Sequence, residues 1–318
     1  MTPRPADPAT LQELAGRSMG TTWSLRFDNP RMLPLDSVRA EAEAALARVV
    51  DQMSHWEEDS DLSLFGRARA GSVHALAPEF ATVLACALHW AEASGGALDP
   101  TVGPLVSLWG FGPDASFDAA APTPEAVEAA RARCGWRRLD FNPNGRALSQ
   151  PGGLSLDFSG IAKGFAVDHM VDGLRALGLE NFLIEVGGEL RGVGRRPDGR
   201  PWSVQIAADE SAGAARTIAL ADMAVATSGD QWHHREHAGH RWSHTIDPRS
   251  GEPVGHALSS VTVLHSECMH ADALATVLTV LGPDEGIAFA DAHKVAALLF
   301  AREPGGMTAH PSRAWPQP

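Results

Sequence analysis

LSLDFSGIAKGFAVDHMVDGLRALGLENFLIEVGGEL, residues 154–190, decides how this chain is read. Leu154, Leu156 and Phe158 alternate with smaller residues, which predicts a short strand ending near Asp157. Ser159 has the chemistry of a helix cap, and Gly160 lets the backbone approach something closely. Ile161, Phe165, Ala166, Met170, Leu174 and Leu177 recur at helical spacing, Gly178 stops the helix, and FLIEV forms the next strand.

Lys163 stands out within that frame. It sits in the first helical turn, where the macrodipole disfavours a cation by roughly 0.3–1 kcal/mol. Gly164 beside it costs about 1 kcal/mol against Ala in a helix. Tolerance of both suits an ammonium and bare amides aimed at an anion, since a helix N-terminus is a ready phosphate site. An exposed lysine paired with a neighbouring carboxylate is the equal alternative, and the stretch alone does not separate the two.

Outward from this stretch, the chain has 318 residues, 44% of them hydrophobic, enough for a sizeable core in one large domain or two lobes. A net charge of −13 without a basic block argues against nucleic acid as a partner. Cys86, Cys134 and Cys268 are odd in number and form no CxxC pair, so no disulfide framework is expected. No run of about 18 apolar residues predicts a transmembrane segment, and residues 1–20 lack the basic and apolar regions of a leader. The sequence as it stands is expected to be cytoplasmic. It would be periplasmic or lipid-anchored if a leader had been removed.

Residues 1–15 are Pro-rich and expected to be flexible, as is an irregular tail over 304–318. Trp23, Leu25 and Phe27 alternate with polar residues as in a half-buried strand, preceded by Ser18-Met19-Gly20-Thr21. Asp36 or Ser37 is expected to cap a helix whose inner face is Val38, Ala42, Ala45, Leu46, Val49 and Met53. Helices are also expected over 78–93, from Thr123-Pro124, and over 269–282, with an irregular aromatic loop over 97–112. The strands are short and hairpin-linked and do not alternate regularly with helices, so the fold class is α+β rather than a doubly wound sheet.

Several stretches carry oxygen or nitrogen ligands. Asp272 and Thr276 lie four apart on one helix face and offer hard oxygens suited to Mg2+ or Ca2+, though acids and threonines are also common there for packing reasons. Residues 233–244 hold five histidines without HExxH or zinc-finger spacing, most simply a surface hairpin. His244 is set apart by its place beside the rigid Asp247-Pro248-Arg249-Ser250-Gly251 turn, where a base would be well positioned. GxGxxG after a strand, GxxxxGK[ST] and GxSxG are absent.

Eight segments now line up in order: MGTTWSLRF, MSHWEEDSDLSLFG, LDPTVGPLVSLWGFG, LDFSGIAKGFAVD, IEVGGELRGVG, AVATSGD, SHTIDPRSGEPV and ADALATVLTVLG. Together they resemble the ApbE family, the FAD:protein FMN transferases or flavin transferases, over residues 16–301. The resemblance implies a single T-fold-like α+β catalytic domain over 16–303, mostly antiparallel, that uses FAD and Mg2+. It implies cleavage of the FAD pyrophosphate, attachment of FMN to a Thr or Ser hydroxyl of an acceptor flavoprotein, and release of AMP. The positions implied to contact FAD are Met19, Trp56, Ala97, Leu98, Asp99, Asp157, Lys163 and Ile246. Those implied for the metal are Gly160 through its carbonyl, Asp272, Thr276 and the Ala275 carbonyl. His244 matches the histidine regarded as catalytic. Position 56 is often Tyr in the family. Trp keeps the stacking surface and loses the phenol. An FAD pyrophosphatase would use the same site, whereas a flavin-binding or metal-storage protein would use the His-rich stretch 233–244.

Overall fold

The structure is a computed structural model that describes residues 10–113, 121–206, 216–229, 234–237 and 240–316. Its organising element is an eight-stranded antiparallel sheet. In spatial order the strands are Leu11–Ser18, Thr21–Asp28, Phe182–Val186, Glu189–Val193, Met223–Gly229, Leu258–His265, Ala296–Glu303 and Gly306–Pro311. Alternation explains how the sheet is covered. Trp23, Leu25 and Phe27 point into the main core with Phe182, Ile184 and Val186. Leu183 faces the other way and meets Trp202, Ile206 and Leu220 of the hairpin Trp202–Ile206/Arg216–Leu220.

Helices α1 (Leu35–Met53), α2 (Asp61–Arg67), α3 (Pro78–Ala93), α6 (Ala162–Ala176) and α7 (Cys268–Ala292) pack into the main core on the first face, while α4 (Gly103–Leu108) and α5 (Pro124–Arg131) form a separate small cluster with Ile246. The six apolar residues expected on the inner face of α1 are all buried. Thr123 caps α5, its hydroxyl accepting from the Ala126 amide at 3.3 Å. On composition α7 is long and apolar enough to cross a membrane, but here it is the core helix, with Ala271, Leu274 and Leu278 wholly buried. Gly282, at φ +80°, and Pro283 break it, which is where the expected helix ends and the next begins.

Four expectations are corrected. Residues 154–158 are extended but unpaired, because Gln150 rather than a strand satisfies the backbone of Leu154: its amide donates to the Leu154 carbonyl at 3.0 Å and its carbonyl oxygen accepts from the Leu154 amide at 3.3 Å. Neither Ser159 nor Asp36/Ser37 caps a helix; α6 begins at Ala162 and α1 directly after Pro34. Order begins well before residue 16, since Leu11–Ser18 pairs along its whole length with Thr21–Asp28. The segment 304–318 is not irregular throughout. Gly306–Pro311 pairs with Ala296–Glu303, and Trp315 is buried against the outer face of the sheet. Prolines and glycines disguised this strand, whose anchor is one tryptophan beyond it.

Candidate functional site

The first turns of α6 and α7 meet closely, and glycine allows it. A Cβ on Gly164 would lie 2.4 Å from the Cys268 carbonyl oxygen and 2.7 Å from the Asp272 Cβ. The Gly164 amide donates to Asp272 Oδ2 at 2.9 Å. That amide is therefore not bare, and the glycine serves helix contact. One turn further on, Asp168 accepts from the Cys268 and Met269 amides at 3.0 and 2.9 Å, and its carboxylate is paired with Arg191. Asp168 thus caps α7 from α6. Gly164→Ala is expected to cost about 1–3 kcal/mol of stability by overpacking this contact. Denaturant unfolding would show the loss, and a midpoint equal to that of the wild type would refute the close-contact assignment.

Lys163 projects from this junction. Its ammonium lies 2.5 Å from Glu189 Oε1; the lysine side chain keeps 30% of its surface exposed and the glutamate 3%. The equal alternative read from the sequence, a lysine paired with a carboxylate, is thus realised, but in a mostly buried setting. Burial works against the charged lysine, yet Glu189 and Asp272 outweigh it and push its pKa up to about 12. Burial, opposed by Lys163 and reinforced by Asp272, pushes Glu189 up to about 8. Burial also raises Asp272, against the pull of Lys163 and the Gly164 amide. Two buried carboxylates share one ammonium, so the site is short of positive charge.

The residues implied for a metal draw together here. A Cβ on Gly160 would stand 2.7 Å from Thr276 Oγ1, so the Gly160 backbone abuts that hydroxyl, and Asp272 lies one turn before Thr276 on α7. The Ala275 carbonyl already accepts from the Thr279 hydroxyl at 2.8 Å. Among the described residues no three His, Cys, Asp or Glu side chains form a group able to hold a metal. The available set is one carboxylate, one hydroxyl and a backbone carbonyl, hard oxygens that suit Mg2+ better than zinc. Glu189 Oε2, buried and without a hydrogen-bond partner among the described residues, agrees with a cation near this place.

The other implied positions flank this junction through the segment 97–112. The Asp157 amide donates to the Pro100 carbonyl at 2.9 Å, and Asp157 Oδ1 accepts from the Ser159 amide at 2.7 Å, holding the turn that leads to Gly160. Ala97 and Leu98 are buried. Asp99, also buried, accepts from the Thr101 amide and hydroxyl at 2.8 and 2.6 Å and from the Trp136 amide at 3.2 Å, so its carboxylate braces this loop. At the other end of the segment, Trp109 Nε1 donates to the Gly251 carbonyl at 2.8 Å, Ile246 packs with Leu105, and the Phe111 ring meets the edge of His244 at 6.4 Å. His244 stands just past the strand His240–Ser243, not on it. His233 lies outside the described residues. Met19 occupies the left-handed region, φ +52°, in the turn between the first two strands. Trp56 is 61% exposed on the loop between α1 and α2, its ring 5.5 Å from that of His55.

Glu189, Asp168 and Arg191 were not singled out in the sequence. Glu189 follows Gly187-Gly188, which reads as an exposed turn. The turn instead folds an acid back under α6, where it meets Lys163.

The same architecture occurs in known proteins. The family model described as "ApbE family" matches residues 19–299. A Vibrio cholerae protein named FAD:protein FMN transferase is 38% identical over 311 residues, 97% of this chain and 92% of its own length. An Escherichia coli protein of the same name is 30% identical over 295 residues, covering 91% and 84%. Among solved structures, the Pseudomonas stutzeri flavinyl transferase ApbE in its apo form superposes with a TM-score of 0.88 at 37% identity, covering 96% of this chain and 95% of that one. The Vibrio cholerae flavin transferase ApbE gives 0.89 at 37% identity, with 96% and 98% covered. With the family model spanning residues 19–299, both helices of the charged junction included, this chain belongs to the ApbE family.

Proposed function

We propose that this chain is an Mg2+-dependent FAD:protein FMN transferase that joins FMN through its phosphate to a Thr or Ser hydroxyl of an acceptor flavoprotein and releases AMP. The observation that carries this reading is the buried junction of Lys163, Glu189 and Asp272 beside Gly160 and Thr276. A mostly buried ammonium at a helix N-terminus suits a pyrophosphate. Gly160, Asp272 and Thr276 would hold the metal, which when bound supplies charge neutralisation at phosphate oxygens.

The chain's own residues then have distinct tasks. Lys163 donates hydrogen bonds to the pyrophosphate and balances the charge that collects on the departing AMP. His244 accepts the proton of the acceptor hydroxyl. The hydroxyl oxygen forms a bond to the FMN phosphorus, the bond from that phosphorus to the bridging oxygen breaks, and AMP leaves with that oxygen. Trp56 offers an exposed ring face on which part of the FAD can stack. Asp99 and Asp157 keep the loops beside the site in place through their backbone bonds.

Co-expression with candidate acceptor proteins, followed by flavin fluorescence of denaturing gels, tests the reading. Fluorescence that stays with the acceptor supports transfer; free FMN alone would favour hydrolysis. For the pyrophosphate contact, Lys163→Ala is expected to weaken FAD binding far more than riboflavin binding, because riboflavin carries no phosphate. Equal losses for the two ligands would sink the assignment of Lys163.

A further inference from the structure

We infer that His256 is a positioning residue: its imidazole stands in for a helix amide that Pro283 removes, and so fixes the segment carrying His244 against α7. The inference rests on the role of His244 proposed above and goes beyond it. In an unbroken helix the Thr279 carbonyl would accept from the amide of residue 283. Residue 283 is proline, which has no amide hydrogen, and Gly282 at φ +80° turns the chain out of the helix just before it. The imidazole of His256 takes that place. Its Nε2 lies 2.5 Å from the Thr279 carbonyl oxygen, and its Nδ1 accepts from the Leu258 amide at 3.3 Å. A ring nitrogen that accepts from an amide carries no proton, so Nε2 holds the hydrogen and donates to the carbonyl. A Cβ on Gly282 would stand 3.1 Å from the imidazole Cδ2, so the ring lies against the break itself.

His256 follows a hairpin that begins just after His244. Ile246–Asp247 pairs with Glu252–Pro253, and below them the Val254 amide donates to the Thr245 carbonyl at 3.0 Å. The tip of this hairpin is held by Trp109 through the Gly251 carbonyl, and Ile246 packs with Leu105. Its neck, with His244 and Thr245 on one side and Val254 on the other, reaches α7 through His256. Ser243, His256 and Thr279 line one cavity of about 20 Å³, which brings the end of the strand before His244, the imidazole and α7 to one place. The same helix carries Asp272 and Thr276, and the Thr279 hydroxyl donates to the Ala275 carbonyl one turn back. His256 thus sets where the proposed base stands relative to the helix of the proposed phosphate site.

Loss of the donor should misplace the base and leave FAD bound. In His256→Phe, single-turnover transfer to an acceptor at saturating FAD is expected to fall about 10–100-fold, the scale that a displacement of roughly 1 Å carries. FAD affinity should stay at the wild-type value, because the tip of the hairpin keeps its own contacts. His256→Asn keeps an acceptor for the Leu258 amide but is too short to reach Thr279. It should show the same loss, and it serves if His256→Phe does not fold. His256→Gln, whose amide has the reach of Nε2, should recover most of the rate. A residue needed only for stability predicts wild-type transfer per folded molecule in all three. Combination with His244→Ala decides the route: once the base is gone, His256→Phe should cost almost nothing further. Four results overturn the inference while the role of His244 stands: normal transfer by folded His256→Phe or His256→Asn, a loss confined to FAD affinity, no recovery in a folded His256→Gln, or a loss of full size in the His244→Ala background. Normal transfer by His244→Ala itself overturns both.

Discussion

Asp272→Ala is expected to abolish flavin transfer and to remove the enhancement of FAD binding by Mg2+. Asp272 supplies the one carboxylate among the positions implied for the metal, and Mg2+ takes oxygen ligands in near-octahedral geometry. One hydroxyl and one carbonyl without that charge make a poor site for a strongly hydrated ion. The substitution also orphans the buried Gly164 amide, which Asp272 Oδ2 now satisfies at 2.9 Å, a loss of about 1–3 kcal/mol in stability. Asp272→Asn separates the two effects, since it keeps an acceptor for that amide and loses the charge. Calorimetric titration of FAD with and without Mg2+ should show no enhancement in either variant, with stability recovered in Asp272→Asn. Equal enhancement in Asp272→Ala and wild type would place the metal elsewhere.

His244→Ala is expected to leave FAD binding nearly unchanged and to lower transfer by about 10²-fold or more, the usual scale for a general acid–base group. The segment that carries this imidazole is braced on both sides. The ring's edge faces Phe111, the Thr245 amide donates to the Ser243 hydroxyl at 3.1 Å, and Trp109 ties the following turn down through the Gly251 carbonyl. Single-turnover transfer to an acceptor, measured beside FAD affinity, checks the split. Normal transfer by a folded His244→Ala would show that the ring only packs against the Asp-Pro turn.

Much of the fold could be read where side chains alternate or recur regularly. The inner face of α1, the strand around Leu25 and the stop at Gly178 all follow from local pattern. What escaped depends on distant partners. Residues 154–158 have strand-like alternation, but the side chain of Gln150 takes the place of a neighbouring strand. The last sheet strand hides among prolines and glycines, and Trp315 anchors it.

The site divides in the same way. Lys163 was visible as a residue out of place in its own helix. Asp272 and Thr276 could be placed on one face, but their meeting with Gly160 joins elements more than 100 residues apart, as the Gly164–Asp272 bond shows. Gly164 looked like a bare amide and proved to be the clearance between α6 and α7. Glu189 could not be inferred from local pattern, because a Gly-Gly turn looks exposed until the helix above it is in place.

The most direct test is a product balance with purified components: this chain, FAD, Mg2+ and an acceptor flavoprotein with a Thr or Ser attachment site. The account predicts one AMP released for each FMN that remains on the denatured acceptor, with no attachment when the acceptor hydroxyl is replaced. AMP released with only free FMN, or FAD recovered intact from an active-site-saturated sample, would contradict it.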